Sequence, residues 1–183
     1  MPENSNFINE TSIDSLYVIQ RPRFDDVRGF FSEIFRLNDL EELLGKPLVF
    51  KQASHSFSNY KVFRGFHAEE CNKLVYIITG SVKCVFVDIR DPGFLKTEVI
   101  DLEASECKAI FIPEGVANSY VVTSKDPVNY MYFTDEYYKG PSKRAFIWND
   151  TDVNIKWPFK EMIISEADKK NPTLRSLFPE KFK

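Results

Sequence analysis

Hydrophobic positions along this chain come in short runs, close together and broken by turn residues. From Leu16 onward the runs are LYVIQ (16–20), GFFSEIF (29–35), LVF (48–50), KLVYIITG (73–80), VKCVFVDI (82–89), TEVIDL (97–102), KAIFIP (108–113), SYVVT (119–123) and NYMYFT (129–134). They are rich in Val, Ile, Phe and Tyr, whose branched or flat side chains pack well on a pleated surface. Turn signals separate several of them: Thr79-Gly80-Ser81, Asp91-Pro92-Gly93, Glu114-Gly115 and Lys125-Asp126-Pro127. Val82, Cys84 and Phe86 alternate with Lys83, Val85 and Val87, which predicts a strand with two buried faces. Helical signals are scarce. Asn38–Gly45 has a capping residue, early acids and a terminal Gly, and Ser165–Lys170 supplies a second short candidate. Short strands at roughly 8–12-residue intervals predict an all-β fold, an antiparallel sandwich or barrel and most simply a jelly roll, with a few short helices.

Length and composition narrow the picture. A chain of 183 residues is room for one domain, here 1–183, with residues 1–14 as a polar arm and 159–183 as a C-terminal tail. Lys plus Arg at 24 against Asp plus Glu at 27 lacks the basic excess of an electrostatic nucleic-acid binder. Only two histidines occur, His55 and His67, so histidine-rich metal sites are excluded; His55 is read as structural. Cys71, Cys84 and Cys107 are odd in number and contain no CxxC pair, the usage of a reduced chain without a disulfide framework or cysteine zinc site. The N-terminus has no basic and apolar leader, and no run approaches the roughly 20 apolar residues that span a bilayer. A cytoplasmic protein with no membrane partner is expected.

Four segments carry candidate chemistry, and each has a plain structural reading. His67 closes Val62-Phe63-Arg64-Gly65-Phe66-His67 before an apolar strand, and a lone His is more often structural than catalytic. Arg64 close by would disfavour the imidazolium, which suits a neutral base. Ile112–Tyr120 reads as a tight corner, Tyr130–Tyr138 as a strand with one face of amphipathic rings, and Trp148–Asp150 with Ile155–Pro158 as a tail packed on the sheet.

Their order is more telling than any one of them. Arg28-Gly29-Phe30-Phe31-Ser32-Glu33, Arg64-Gly65-Phe66-His67, Lys73-Leu74-Val75, Val87-Asp88-Ile89-Arg90, Ile112-Pro113-Glu114-Gly115, Trp148-Asn149-Asp150 and Ser165-x-x-Asp168 follow one another along the chain. This series resembles the dTDP-4-dehydrorhamnose 3,5-epimerase family, cupin-fold enzymes of activated deoxysugar synthesis, from about Ile19 to Asp168. The resemblance implies a substrate that is a nucleotide-linked 4-keto-6-deoxy sugar, hexose or heptose. Its C4 ketone acidifies the hydrogens on C3 and C5, so the chemistry needs a base, a partner for the enolate oxygen and an acid on the far face, with no metal and no other cofactor.

Carried over position by position, His67 matches the general base and Asp168 the carboxylate that fixes its ring. Lys73 matches the cation near the keto oxygen, Tyr132 the acid, and Tyr137 the ring that stacks on the nucleotide base. Arg28, Phe31, Glu33, Gln52 and Arg64 match substrate contacts. Departures accompany the matches. Asn118 stands where the family has His, still able to donate a hydrogen bond to the enolate oxygen. The segment Ala68–Asn72 is short, Lys143 and Ala167 replace residues that read the thymine end, and Gln52-Ala53-Ser54 replaces Gln-Asp-Asn. These changes bring GDP- and CDP-linked sugars into consideration beside dTDP-linked ones. Inversion at C3 alone or C5 alone, a keto-isomerase and a non-catalytic nucleotide-sugar-binding cupin are the alternatives, in that order. The resemblance further implies a homodimer with an exchanged strand at residues 12–20 and with Phe30 or Phe31 reaching the partner's site.

Overall fold

The structure is a computed structural model that describes residues 7–182; the first six residues of the expected polar arm lie outside the described part. In chain order the strands are β1 (Ile8–Glu10), β2 (Tyr17–Gln20), β3 (Arg23–Asp26), β4 (Gly29–Ser32), β5 (Gln52–Ser58), β6 (Phe63–His67), β7 (Lys73–Ile77), β8 (Ser81–Asp88), β9 (Thr97–Glu103), β10 (Lys108–Ile112), β11 (Val116–Val122) and β12 (Val128–Thr134). Helices α1 (Leu37–Leu44), α2 (Glu166–Lys169) and α3 (Leu174–Leu177) complete the list of α-helices. A six-stranded sheet, β1-β2-β10-β7-β12-β5, faces a four-stranded sheet, β6-β11-β8-β9, while β3 and β4 form a separate hairpin. The all-β expectation holds, and the two sheets enclose a jelly-roll-like sandwich.

Three apolar layers explain the burial of the strands in the two main sheets. Between the sheets, Val75, Ile77, Ile110, Ile112 and Tyr130 of one meet Val82, Cys84, Phe86, Val116, Tyr120 and Val122 of the other. The outer face of the four-stranded sheet, including Val85, Val87, Ala117 and Val121, is covered by Phe146, Trp148, Trp157, Leu174 and Phe178 of the C-terminal segment. That cover is why β8 buries both faces over its second half. The outer face of the larger sheet, with Tyr17, Ile19, Leu74, Ala109 and Phe111, is covered by Leu40, Leu48, Phe35 and Phe50. Burial of each such large side chain contributes about 1.5–3 kcal/mol.

Several elements depart from the sequence reading. Part of the polar arm is ordered, since Ile8–Glu10 pairs with β2 and Ile13 is fully buried. Both edges of β2 are taken by β1 and β10 of the same chain. Helix α1 begins after Arg36 without a side-chain cap, placing Asn38 inside it; Gly45 ends it with φ +64°. GFFSEIF splits after Ser32, and LVF is not a strand: Leu48 is buried, Val49 exposed, and Phe50 packs on Phe35 and Phe133. Strands β3, β5 and β6 lay outside the apolar runs.

Candidate active site

Strands β6 and β7 belong to opposite sheets, and only residues 68–72 connect them. The end of the sandwich where they meet therefore brings the last residue of β6, His67, near the first residue of β7, Lys73. On the adjoining strands, Asn118 of β11 lies opposite His67, and Thr134 and Tyr132 of β12 lie opposite Lys73 and Val75. The close approach of β6 to β11 requires Gly65. Its φ is +134°, and a Cβ there would stand 2.3 Å from Ser119 Cβ.

His67 Nε2 lies 2.8 Å from Asp168 Oδ1, leaving Nδ1 as the free ring nitrogen. Asp168 sits in the first turn of α2, whose Ser165 cap accepts the Asp168 N–H at 3.0 Å. Burial pushes the Asp168 carboxyl up. Hydrogen bonding and charge from His67, the Ser165 hydroxyl and the Gly65 N–H outweigh burial and hold it below the ordinary carboxylate range. Arg64 has turned elsewhere, which corrects its expected influence on His67: its Nε donates to Ser58 Oγ at 3.1 Å, and Ser58 in turn meets Tyr120 Oη at 3.0 Å. The charged group in contact with the imidazole is the Asp168 carboxylate.

On the opposite sheet the Lys73 ammonium is buried, 5.0 Å from the centre of the Tyr132 ring. It donates to Glu69 Oε1 at 2.7 Å. Asn118 Nδ2 donates to the His67 carbonyl at 2.8 Å and to Glu69 Oε2 at 3.0 Å. Both partners are acceptors, which fixes the orientation of the amide and engages both of its N–H bonds. The expected role of Asn118 as a donor to the enolate oxygen is therefore corrected: its protons are already committed. Burial pushes Glu69 up, and the charge and hydrogen bond of Lys73, together with His67 and the Asn118 amide, more than reverse that, leaving Glu69 below its ordinary value.

Among the tyrosines, Tyr130 stacks on Tyr120 at 4.2 Å and burial pushes it well above its ordinary value. Tyr132 is the more open of the two and the one beside Lys73. Gln52 opens β5; its Nε2 donates to Ser54 Oγ and its Oε1 accepts the Tyr138 N–H, each at 2.9 Å, which anchors the segment bearing exposed Tyr137. Lys143 is exposed beyond that segment.

Three expected substrate contacts are not brought to this cluster by their own bonds. Arg28 pairs with Asp26 at 2.5 Å in the β3–β4 turn, and Phe31 is 65% exposed on the hairpin. Glu33 is tied to Arg36 and to buried Arg21 at 2.9 Å each, and Arg21 also binds Asp39 at 2.6 Å. A buried guanidinium needs carboxylates more than Glu33 needs solvent, so Glu33 serves the fold. His55, read as structural, meets Asn129 Oδ1 at 2.9 Å on the edge strand. Cys71 lies close enough to Glu69 to feel it: burial first, then that charge, pushes its thiol up to about 11. Among the described residues no trio of His, Cys, Asp or Glu is grouped to hold a metal ion, and no helix is long and apolar enough to cross a membrane. The residue that the sequence reading missed is Glu69; its only signal was a carboxylate four residues before Lys73 in a short connection.

A partly exposed base on a nearly buried carboxylate, a buried ammonium and a phenol at one mouth form a proton-transfer site. The chain also matches known proteins. The family model described as dTDP-4-dehydrorhamnose 3,5-epimerase matches residues 10–176. The chain is 35% identical over 174 residues to the dTDP-4-dehydrorhamnose 3,5-epimerase of Escherichia coli K12, covering 91% of this chain and 94% of that one. It superimposes with a TM-score of 0.87 on dTDP-6-deoxy-D-glucose-3,5-epimerase from Legionella pneumophila in complex with dTDP-4-keto-L-rhamnose, at 32% identity over 94% of this chain and 95% of that one. A Streptococcus suis relative in complex with dTDP-D-xylose gives a TM-score of 0.80 at 33% identity, covering 92% of this chain and 91% of that one.

Proposed function

The chain belongs to the dTDP-4-dehydrorhamnose 3,5-epimerase family and is an epimerase, and we propose that it inverts C3, C5 or both in a dTDP-linked 4-keto-6-deoxy sugar, with His67 as base and Tyr132 as acid. The observation that carries this reading is the His67–Asp168 pair at 2.8 Å, set at the same mouth as Lys73 and Tyr132. The nucleotide follows from the dTDP sugars bound by the Legionella and Streptococcus relatives.

The reaction runs through an enolate. Asp168 holds Nε2 with its proton, so Nδ1 of neutral His67 takes the proton from the carbon beside the ketone. The electron pair of that C–H bond moves to the C–C bond, and the carbonyl pair moves to O4. The Lys73 ammonium donates to O4 as negative charge gathers there. Tyr132 then gives its phenolic proton to the opposite face of the carbon as the carbonyl re-forms. The proton on His67 returns through solvent to the tyrosinate, so the cycle closes with no net gain of protons. Positioned acid–base groups contribute typically about 10²- to 10⁴-fold each, and a preorganised donor to an oxyanion about 10²- to 10³-fold. Asn118, bonded to Glu69 and to the His67 carbonyl, supports the site instead of touching O4.

Arg64, Gln52, Tyr137 and Lys143 are the proposed nucleotide side of the site, reached from β5, β6 and the segment after β12. A guanidinium suits a diphosphate because its planar fork contacts two oxygens at once. A homodimer completes the proposal. Phe24, Phe30 and Phe31 are 63%, 52% and 65% exposed on one hairpin, an apolar projection with Arg28 at its turn that suits a second copy's site. Isothermal titration with dTDP, GDP and CDP tests the nucleotide: the reading expects dTDP to bind at least tenfold tighter than either, and preference for GDP or CDP overturns that part of it. Sedimentation of the protein with Phe31→Asp tests the dimer, which should dissociate; an unchanged mass at unchanged fold contradicts the proposed interface.

A further inference from the structure

Glu69 stands between two groups that both donate to it. The Lys73 ammonium reaches Oε1 at 2.7 Å and the Asn118 amide reaches Oε2 at 3.0 Å. Only a carboxylate satisfies both contacts. A carboxamide at this position would turn an NH₂ toward either the ammonium or the Asn118 amide, and Asn118 cannot flip to receive it, because its other contact is the His67 carbonyl, also an acceptor. Burial alone would push Glu69 up; the charge and hydrogen bond of Lys73, with His67 and the Asn118 amide, together outweigh it and hold Glu69 below its ordinary value.

The backbone beneath Glu69 is equally constrained. Ser142 Oγ donates to the Ala68 carbonyl at 2.6 Å, and Ala68 itself is fully buried. At the other end of the connection the Asn72 backbone and side-chain N–H groups donate to the two Asp135 oxygens at 2.8 and 2.6 Å, while Asn72 Oδ1 accepts the Glu114 N–H at 3.1 Å. A segment pinned at both ends, crossing from one sheet to the other, sets Glu69 at the mouth with little freedom. The ammonium it holds is 8% exposed at its side chain, where a flexible four-carbon stem would otherwise leave the charge free to move.

We propose that Glu69 is a positioning residue for the epimerisation, holding the Lys73 ammonium where the enolate oxygen forms and being held in turn by Asn118. The inference rests on the proposed proton-transfer role of the site and adds two residues to it that do not touch the substrate. It also gives Asn118 a role: the amide is the second clamp on a carboxylate. The pocket facing the enolate is then a neutral ion pair from which the ammonium donates its remaining N–H bonds, so placement of the donor, more than net positive charge, is what stabilises O4.

The test compares Glu69→Gln, Lys73→Met and the double variant by solvent deuterium wash-in to dTDP-4-keto-6-deoxyglucose. Glu69→Gln should lower kcat by about 10- to 100-fold with KM within about threefold, because the reacting end and not the nucleotide end is disturbed. The double variant should exchange no more slowly than Lys73→Met alone, since the carboxylate has then lost the group it positions. Losses that multiply, or a wild-type rate in Glu69→Gln, overturn the inference. A second arm needs no turnover: reductive methylation followed by mass spectrometry should modify Lys73 at least fivefold faster in Glu69→Gln and in Asn118→Ala than in wild type. Equal rates would show that Glu69 does not hold the ammonium. If the wild type exchanges with no nucleotide sugar, the epimerase reading fails by itself, while the labelling still decides whether the clamp exists.

Discussion

Replacing Asp168 by Asn tests how the base is held. The carboxylate accepts from His67 Nε2, the Gly65 N–H and the Ser165 hydroxyl, and its Oδ1 lies 2.8 Å from the ring. An amide of the same shape has one acceptor oxygen in place of two and carries no charge. Where the NH₂ arm of the new side chain faces His67 Nε2, the ring can pair with it only as an acceptor. The imidazole proton moves to Nδ1, the nitrogen that must be free to take a proton from carbon. Catalysis by the positioned base, about 10²- to 10⁴-fold, is what this inversion of the tautomer removes, or about 3–5 kcal/mol of transition-state stabilisation at 1.36 kcal/mol per tenfold. Deuterium wash-in followed by NMR should report that fall in kcat, while dTDP affinity stays within about threefold and far-ultraviolet circular dichroism is unchanged. A variant that keeps more than about a tenth of the wild-type rate would refute the claim that Asp168 sets the tautomer of the base.

Other expectations follow from the same geometry. Gly65→Ala should destabilise the protein by about 2–6 kcal/mol, summing left-handed strain and overpacking against Ser119, read as a lower urea midpoint; an unchanged midpoint would mean that β6 and β11 are farther apart than described. Tyr132→Phe should uncouple two events, with deuterium entering through His67 on one face while inversion falls about 10²- to 10⁴-fold; equal loss of both would argue against a separate acid. Glu69 and Asp168 are held below their ordinary values, so the unfolded chain binds more protons in acid. Their stabilisation is complete above the ordinary carboxylate value of about 4 and is lost as pH falls through their folded values. Urea midpoints should thus drop below about pH 4, less steeply in Asp168→Asn than in wild type; parallel curves would contradict the shift.

The sandwich was legible because most of its strands are buried on at least one face and read as apolar runs. Strand β11 is buried along its whole length between β6 and β8; its second half shows as the run SYVVT, while Val116–Asn118 reads as part of a tight corner. Strand β5, QASHSFS, is small and polar; what makes it a strand is its pairing with β12, which no local propensity records. The apolar LVF run misled for the converse reason, since Leu48 and Phe50 are covers for the larger sheet.

The site divides in the same way. The His67–Asp168 pair was read from a resemblance in ordered motifs, with more than half the chain between the two residues. Glu33 was assigned to substrate because nothing local shows that Arg21 is buried and needs a counter-charge. Asn118 was read as a free donor because its two acceptors come from β6 and from the β6–β7 connection, contacts that exist only after folding. Glu69 was passed over for want of the same knowledge: its spacing from Lys73 is visible, but its contact with Asn118 is not.

Wash-in of solvent deuterium to C3 and C5 of dTDP-4-keto-6-deoxyglucose tests the central claim most directly, with wild type and His67→Asn compared by NMR in D₂O. The account predicts label at one or both carbons in the wild type and a loss of about 10²-fold or more in His67→Asn. Label entering His67→Asn at the wild-type rate, or no label in a wild type that binds the nucleotide sugar, would contradict it.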